Sequence, residues 1–164
     1  MKYRFPLFVL CCFAVIGIIS NSCEKNNQNY IPTLFTGGRW ELSSVIVTHF
    51  VGDTIKTSDT LYTACSLEQN FVFNSDKTCT FTNYSCISQP VATGHWSLSS
   101  DNLFLSSDMA VDSSGTKIMP FKTALINNLG QYSLVLETGS LQSYYLPNTP
   151  RTITRYGFVR QKTQ

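Results

Sequence analysis

The sequence predicts an all-β protein, an antiparallel up-and-down β-barrel of about eight strands. Apolar residues alternate with polar ones again and again after residue 33, the period of a half-buried strand. No window there keeps the i, i+3, i+4 spacing of an amphipathic helix for long. Clusters of Asn, Asp, Ser and Gly separate the alternating runs roughly every 10 to 15 residues, which makes most connections short hairpins. A two-sheet sandwich fits the same pattern, but short connections favour the barrel as the simpler topology. With 164 residues, 43% hydrophobic and 13% charged, the chain holds enough apolar surface for one folded domain and is not a disordered one.

Residues 1–22 read as an export signal. Lys2 and Arg4 precede an apolar run over 7–19, long enough for a signal core and too short for a membrane span. Ser20, Asn21 and Ser22 then lead to Cys23. Ser20 and Ser22 form a small-x-small site for an ordinary signal peptidase, and a cut there leaves Cys23 as the first mature residue. Residues 23–32 include the polar stretch 24–29 and read as a tether, and residues 33–164 form the domain. Without Lys2 and Arg4, 10 basic residues face 10 acidic ones. That balance gives no basic patch and predicts no nucleic-acid partner.

The strands follow in order. After a short helical turn over 32–36, Trp40, Leu42, Ser44 and Ile46 share one face of the first strand. The stretch 54–63 is strand-like, and 65–70 reads as another short helical turn. Phe71 and Phe73, the turn 74–77, and Cys79 with Phe81 make a hairpin. Trp96 and Leu98, the turn 99–102, and Leu103 with Leu105 make the next. The stretch 117–126 is strand-like, with Pro120 demoting its start to an edge or bulge. Tyr132, Leu134 and Leu136 form a late strand, and 152–161 closes the chain with Tyr156 and Phe158 on one face.

Four of the six cysteines belong to the mature chain: Cys23, Cys65, Cys79 and Cys86. Their spacing matches no zinc ribbon and no C-x-x-C redox motif. Cys65 and Cys86 lie where the two ends of a hairpin meet, which predicts a Cys65–Cys86 disulfide, and Cys79 points with Phe81 as a small apolar residue. No catalytic residue, metal ligand or cofactor is predicted. His49 and His95 are the only histidines, no G-x-S-x-G or phosphate-cradling glycine loop occurs, and His95 has the opposite parity to Trp96. Tyr144 and Tyr145 with Leu146 and Pro147 either rim a pocket opening or pack as an ordinary loop.

One motif occurs twice. Gly38-Arg39-Trp40-Glu41-Leu42 and Gly94-His95-Trp96-Ser97-Leu98 share G-x-W-x-L and hold both tryptophans. With Cys23, the tether, and the run from Cys65 through the 74–77 turn, these motifs resemble the lipocalin-like lipoproteins of Gram-negative bacteria. The resemblance implies that Cys23 is lipidated (palmitate included) and that the protein is exported and held at the cell envelope. It also implies that Gly38, Trp40, Gly94 and Trp96 are structural barrel residues. A basic residue of the last strand then stacks across Trp40, either Arg160 or Arg155. The Thr-Asp-Tyr signature of true lipocalins is missing. The implied function is non-enzymatic binding of a small hydrophobic molecule in the barrel, and the alternative is a solid-core barrel whose surface binds protein or glycan. Asp53-Thr54-Ile55 and Asp59-Thr60-Leu61 also resemble bacterial O-glycosylation tripeptides, though plain strand residues give the same pattern.

Overall fold

Eight antiparallel strands close on themselves, and a ninth extends the wall at one end. The computed structural model describes residues 30–61, 66–142 and 144–161. A helix, α1 (Tyr30–Thr36), leads into β1 (Arg39–Val51) and β2 (Thr54–Leu61). Then come β3 (Asn70–Phe73), β4 (Thr78–Phe81), β5 (Ala92–Leu98) and β6 (Phe104–Ser107). The small hairpin β7 (Val111–Ser113) and β8 (Thr116–Ile118) precedes β9 (Ala124–Leu129), β10 (Ser133–Gly139) and β11 (Pro150–Arg160). Neighbours around the barrel run β1, β3, β4, β5, β6, β9, β10, β11, and β11 pairs back onto β1. The order is sequential apart from β2 and the β7–β8 pair, so the up-and-down topology holds with two insertions. Closure removes the open edges that a flat sheet of these strands would present.

Aromatic side chains fill the interior. Trp40, Phe71, Phe73, Phe81, Phe121 and Phe158 are all fully or almost fully buried. Phe71 lies 4.0 Å from Phe73, 5.4 Å from Phe81 and 5.0 Å from Phe121, centroid to centroid. Leu105, Leu134 and Leu136 complete the packing. Each such ring contributes about 1.5–3 kcal/mol relative to its exposure to water. Helix α1 closes one end: buried Phe35 sits edge-on to Phe73 at 4.9 Å and lies 5.7 Å from Trp96.

The predicted hairpins form in register. Phe71 pairs with Phe81 and Phe73 with Cys79, around a turn in which Lys77 has φ 72°. Leu98 pairs with Leu105. Leu103 and Tyr132 differ from expectation, since both precede the first residue of their strands and are about half exposed. The expected strand 117–126 breaks into β8 and β9, and between them, after Pro120, Phe121 drops into the core. The helical turn expected over 65–70 is absent from its described part: β3 begins at Asn70, and Gln69 already accepts a ladder-like bond from Leu42 N–H at 2.8 Å. A 3-10 turn lies instead at Tyr84–Cys86. The helix begins at Tyr30, so residues 30–32 of the expected tether are helical.

The first strand carries the correction that matters for function. Trp40 and Leu42 face inward as expected, but the next buried residue is Val45, not Ser44 or Ile46. The β1–β11 register shifts between Leu42 and Ser44, a bulge that inverts the alternation beyond it. Gly157 stands opposite Ser44, and a β-carbon there would lie 2.4 Å from Ser44 Oγ. The missing side chain is what lets the bulged serine fit. Past the bulge, Ile46 and Phe50 turn to the opposite face, beside Ile55 and Ile153.

Candidate functional site

At the end of the barrel away from α1 lies a cavity of about 430 Å³. The bulge in β1 delivers Val45 and Val47 to it beside Leu42, and the last residue of β2, Leu61, joins them. From β11 come Tyr156 and Thr154, and from the 3-10 turn Tyr84, Ser85 and Cys86. Gln69 completes the wall. That turn rests on left-handed backbone at Asn83, Ser85 and Cys86, with φ of 51°, 56° and 60°. It folds the chain after β4 across the barrel mouth, which is how Tyr84 comes to face Tyr156.

The cavity combines apolar walls with a few fixed polar groups, the usual composition of a small-molecule site. The Tyr84 and Tyr156 hydroxyls lie 3.4 Å apart, each ring about nine-tenths buried. Burial, then the adjacent Tyr156, pushes the Tyr84 phenol far above its ordinary range, so it stays protonated. Gln69 is 4% exposed; its Nε2 donates to Cys86 Sγ at 3.3 Å, and its Oε1 is buried with no hydrogen-bond partner among the described residues. Among the described residues, no Lys, Arg, His, Asp or Glu lines the cavity.

The residues singled out in the sequence mostly lie at the opposite end. Trp40 is fully buried and donates its indole N–H to Phe35 O at 3.0 Å. Arg160 pairs with it across the β1–β11 seam and lies over its ring at 4.4 Å. Arg160 also donates from Nη2 to Leu34 O, and burial lowers its pKa. Arg155 instead forms an ion pair with Glu137 at 2.7 Å. Trp96 repeats the arrangement: its N–H donates to Asn74 O at 2.9 Å, and Lys77 Nζ lies 4.0 Å over the ring. The shared G-x-W therefore marks two equivalent placements of tryptophan, each with its N–H satisfied and a cation on its face. Gly38 passes beneath the Arg160 side chain, and Gly94 beneath the Asp108 carboxylate and the Met109 backbone, where a β-carbon would lie 2.6 Å from Met109 N.

The remaining candidates are scattered. Cys79 is a buried free thiol 3.2 Å from Ser107 Oγ, and desolvation raises its pKa. That is the environment of an unreactive cysteine. His95 is exposed and contacts Asp108, whose carboxylate accepts from the His95 backbone and ring and is thereby held below its ordinary range. His49 bonds to Thr152 on the β1–β11 extension. No cluster of three metal-ligating side chains occurs among the described residues. Tyr145 packs on the β1–β2 hairpin tip, bonding to Asp53 and stacking with Arg151 at 3.6 Å, away from the cavity; Tyr144 is exposed. Thr54 and Thr60 lie on exposed β2. Cys23 and Cys65 fall outside the described residues.

Sequence reasoning missed Gln69, Tyr84, Val45 and Val47. Gln69 and Tyr84 lie off the strand alternation, and the bulge hides the two valines; Leu42 and Tyr156 stood on predicted inward faces. No family model matches the sequence, and neither a curated protein nor a solved structure matches the chain.

Proposed function

We propose that this is a non-enzymatic, exported protein, lipidated on Cys23 and held at the cell envelope, that binds a small and largely apolar molecule at the open end of its barrel. The observation that carries the binding is the uncharged cavity between β1, β11 and the 3-10 turn, within the usual size of ligand sites. The aromatic core occupies the middle of the barrel, so the ligand seat is the mouth rather than the deep interior. Lipidation at Cys23 would tether the chain from the α1 end and turn the mouth away from the bilayer. Two or more acyl chains give stable anchoring where one gives only marginal binding. With Cys23 lipidated and Cys79 buried as a free thiol, Cys65 and Cys86 remain to form a disulfide, which would stiffen the cavity wall at Cys86.

A second reading is favoured by the packed core and by β2, which is exposed along its whole length: a solid barrel whose surface binds protein or glycan. A non-denaturing mass spectrum of protein purified from its own host, repeated after denaturation, separates the two. Mass that survives denaturation reports the lipid, and mass that is lost reports a bound small molecule. An empty cavity favours the surface reading. Cys23→Ala is expected to move the protein from the membrane to the soluble fraction, and continued membrane partitioning would place the anchor elsewhere.

A further inference from the structure

We infer that the ligand of this cavity is an apolar compound with an acceptor oxygen, of the ketone or ester class, and that the O–H left over by the Tyr84–Tyr156 pair seats that oxygen. The inference rests on the binding reading above and names the chemical class of its ligand. Two hydroxyls 3.4 Å apart share one hydrogen bond, whichever of them donates. The pair therefore keeps a second O–H that it cannot use itself. Among the described residues no carbonyl or carboxylate accepts that proton. Ser85 decides where it lies. The Ser85 side chain bonds to the Tyr84 hydroxyl and lowers the Tyr84 pKa, as a donor does, whereas the bond with Tyr156 raises it, as donation to Tyr156 does. Tyr84 thus accepts from Ser85 and donates to Tyr156, and the remaining proton is on Tyr156. A hydroxyl that accepts in such a chain becomes the stronger donor for it.

Depth separates this O–H from the other polar groups of the lining. Ser85 is exposed and Thr154 half-buried, so solvent serves their hydroxyls at the rim. Gln69 Oε1 is enclosed within the wall, out of a ligand's reach. Tyr84 and Tyr156 are each 8% exposed and both line the cavity. A donor held at that depth without an acceptor is unfavourable, and a ligand oxygen relieves it. The lining is also divided by element. Leu42, Val45 and Val47 of β1 and Leu61 of β2 supply its aliphatic side, while the hydroxyls come from β11 and the 3-10 turn. A ligand that matches is apolar over most of its surface and carries an oxygen at one edge.

Two fused bicyclic compounds of similar shape test this, because α-indanone offers only an acceptor oxygen and indole only an N–H donor. The full chain is titrated with each by calorimetry. α-Indanone is expected to bind about tenfold tighter than indole, the difference one neutral hydrogen bond makes. In the double variant Tyr84→Phe, Tyr156→Phe that preference should vanish, while indole affinity stays within about twofold. The carbonyl stretch of bound α-indanone should also move to lower wavenumber on the unaltered chain, as a hydrogen-bonded ketone's does, and return in the double variant. Indole binding as tightly as α-indanone, or an unshifted carbonyl stretch, overturns the acceptor requirement and leaves the cavity as a site. Preference that persists in the double variant overturns the assignment to the tyrosine pair. Binding of neither compound overturns the cavity reading and this inference with it. The affinity ratio and the stretch are both read on the unaltered chain, so the acceptor requirement is tested even if the variant does not fold.

Discussion

Trp40→Ala is expected to lower the unfolding free energy by about 3–5 kcal/mol, the usual cost of truncating a large buried aromatic side chain. Three elements meet at this residue. It is fully buried on β1, its N–H satisfies the carbonyl of Phe35 in α1, and Arg160 of β11 lies across its face. Removing the indole leaves a cavity, takes from Phe35 O its indole donor, and strips the ring from beneath a partly buried guanidinium. A domain of this size has about 5–15 kcal/mol in all, so the variant should be close to unfolding at moderate temperature. Trp40→Phe keeps a ring under Arg160 and loses the hydrogen bond, and it should cost less. Denaturant melts at constant m-value give the comparison. A loss under about 1 kcal/mol for Trp40→Ala would mean that the tryptophan is not the joint between helix, first strand and last.

The hairpins beside that joint were legible in the sequence, because there local pattern and global fold agree. Phe71, Phe73, Cys79 and Phe81 alternate on either side of a turn-rich tetrad, and a hairpin needs only near neighbours to form. Closure of β1 on β11 joins residues as distant as Trp40 and Arg160, and alternation alone does not say which strands meet. A basic residue in line with Tyr156 and Phe158 was the one local hint.

The cavity was not legible, for a definite reason. Alternation reports which residues share a face only while the register is unbroken. One bulge at Leu42/Ser44 moves Ile46 out and Val45 in, and nothing in the run Ser43-Ser44-Val45-Ile46 announces it. The matching signal is on the other strand, at Gly157, where the absence of a side chain makes room for Ser44. Gln69 and Tyr84 come from segments flanking β3 and β4, whose positions depend on backbone bonds such as Leu42 N–H to Gln69 O. A strand's sequence thus tells what it buries, and the sites at its ends depend on how the connections fold back.

The same packing argument predicts what happens when the middle of the barrel is emptied. Phe71→Ala is expected to cost about 3–5 kcal/mol, because Phe71 is fully buried and its ring touches those of Phe73, Phe81 and Phe121, with Phe158 at 6.2 Å. These neighbours belong to β3, β4, β11 and the β8–β9 connection, and a closed barrel gives them little freedom to collapse inward. The void should therefore persist as a dry apolar cavity of the kind that admits benzene. Added benzene is then expected to raise the stability of Phe71→Ala, by binding the new void of the folded state, more than that of the unaltered protein, which offers the mouth alone. Denaturant melts with and without benzene measure both effects. Equal stabilisation of the two would show that the emptied core takes up no benzene, because binding at the mouth is common to both.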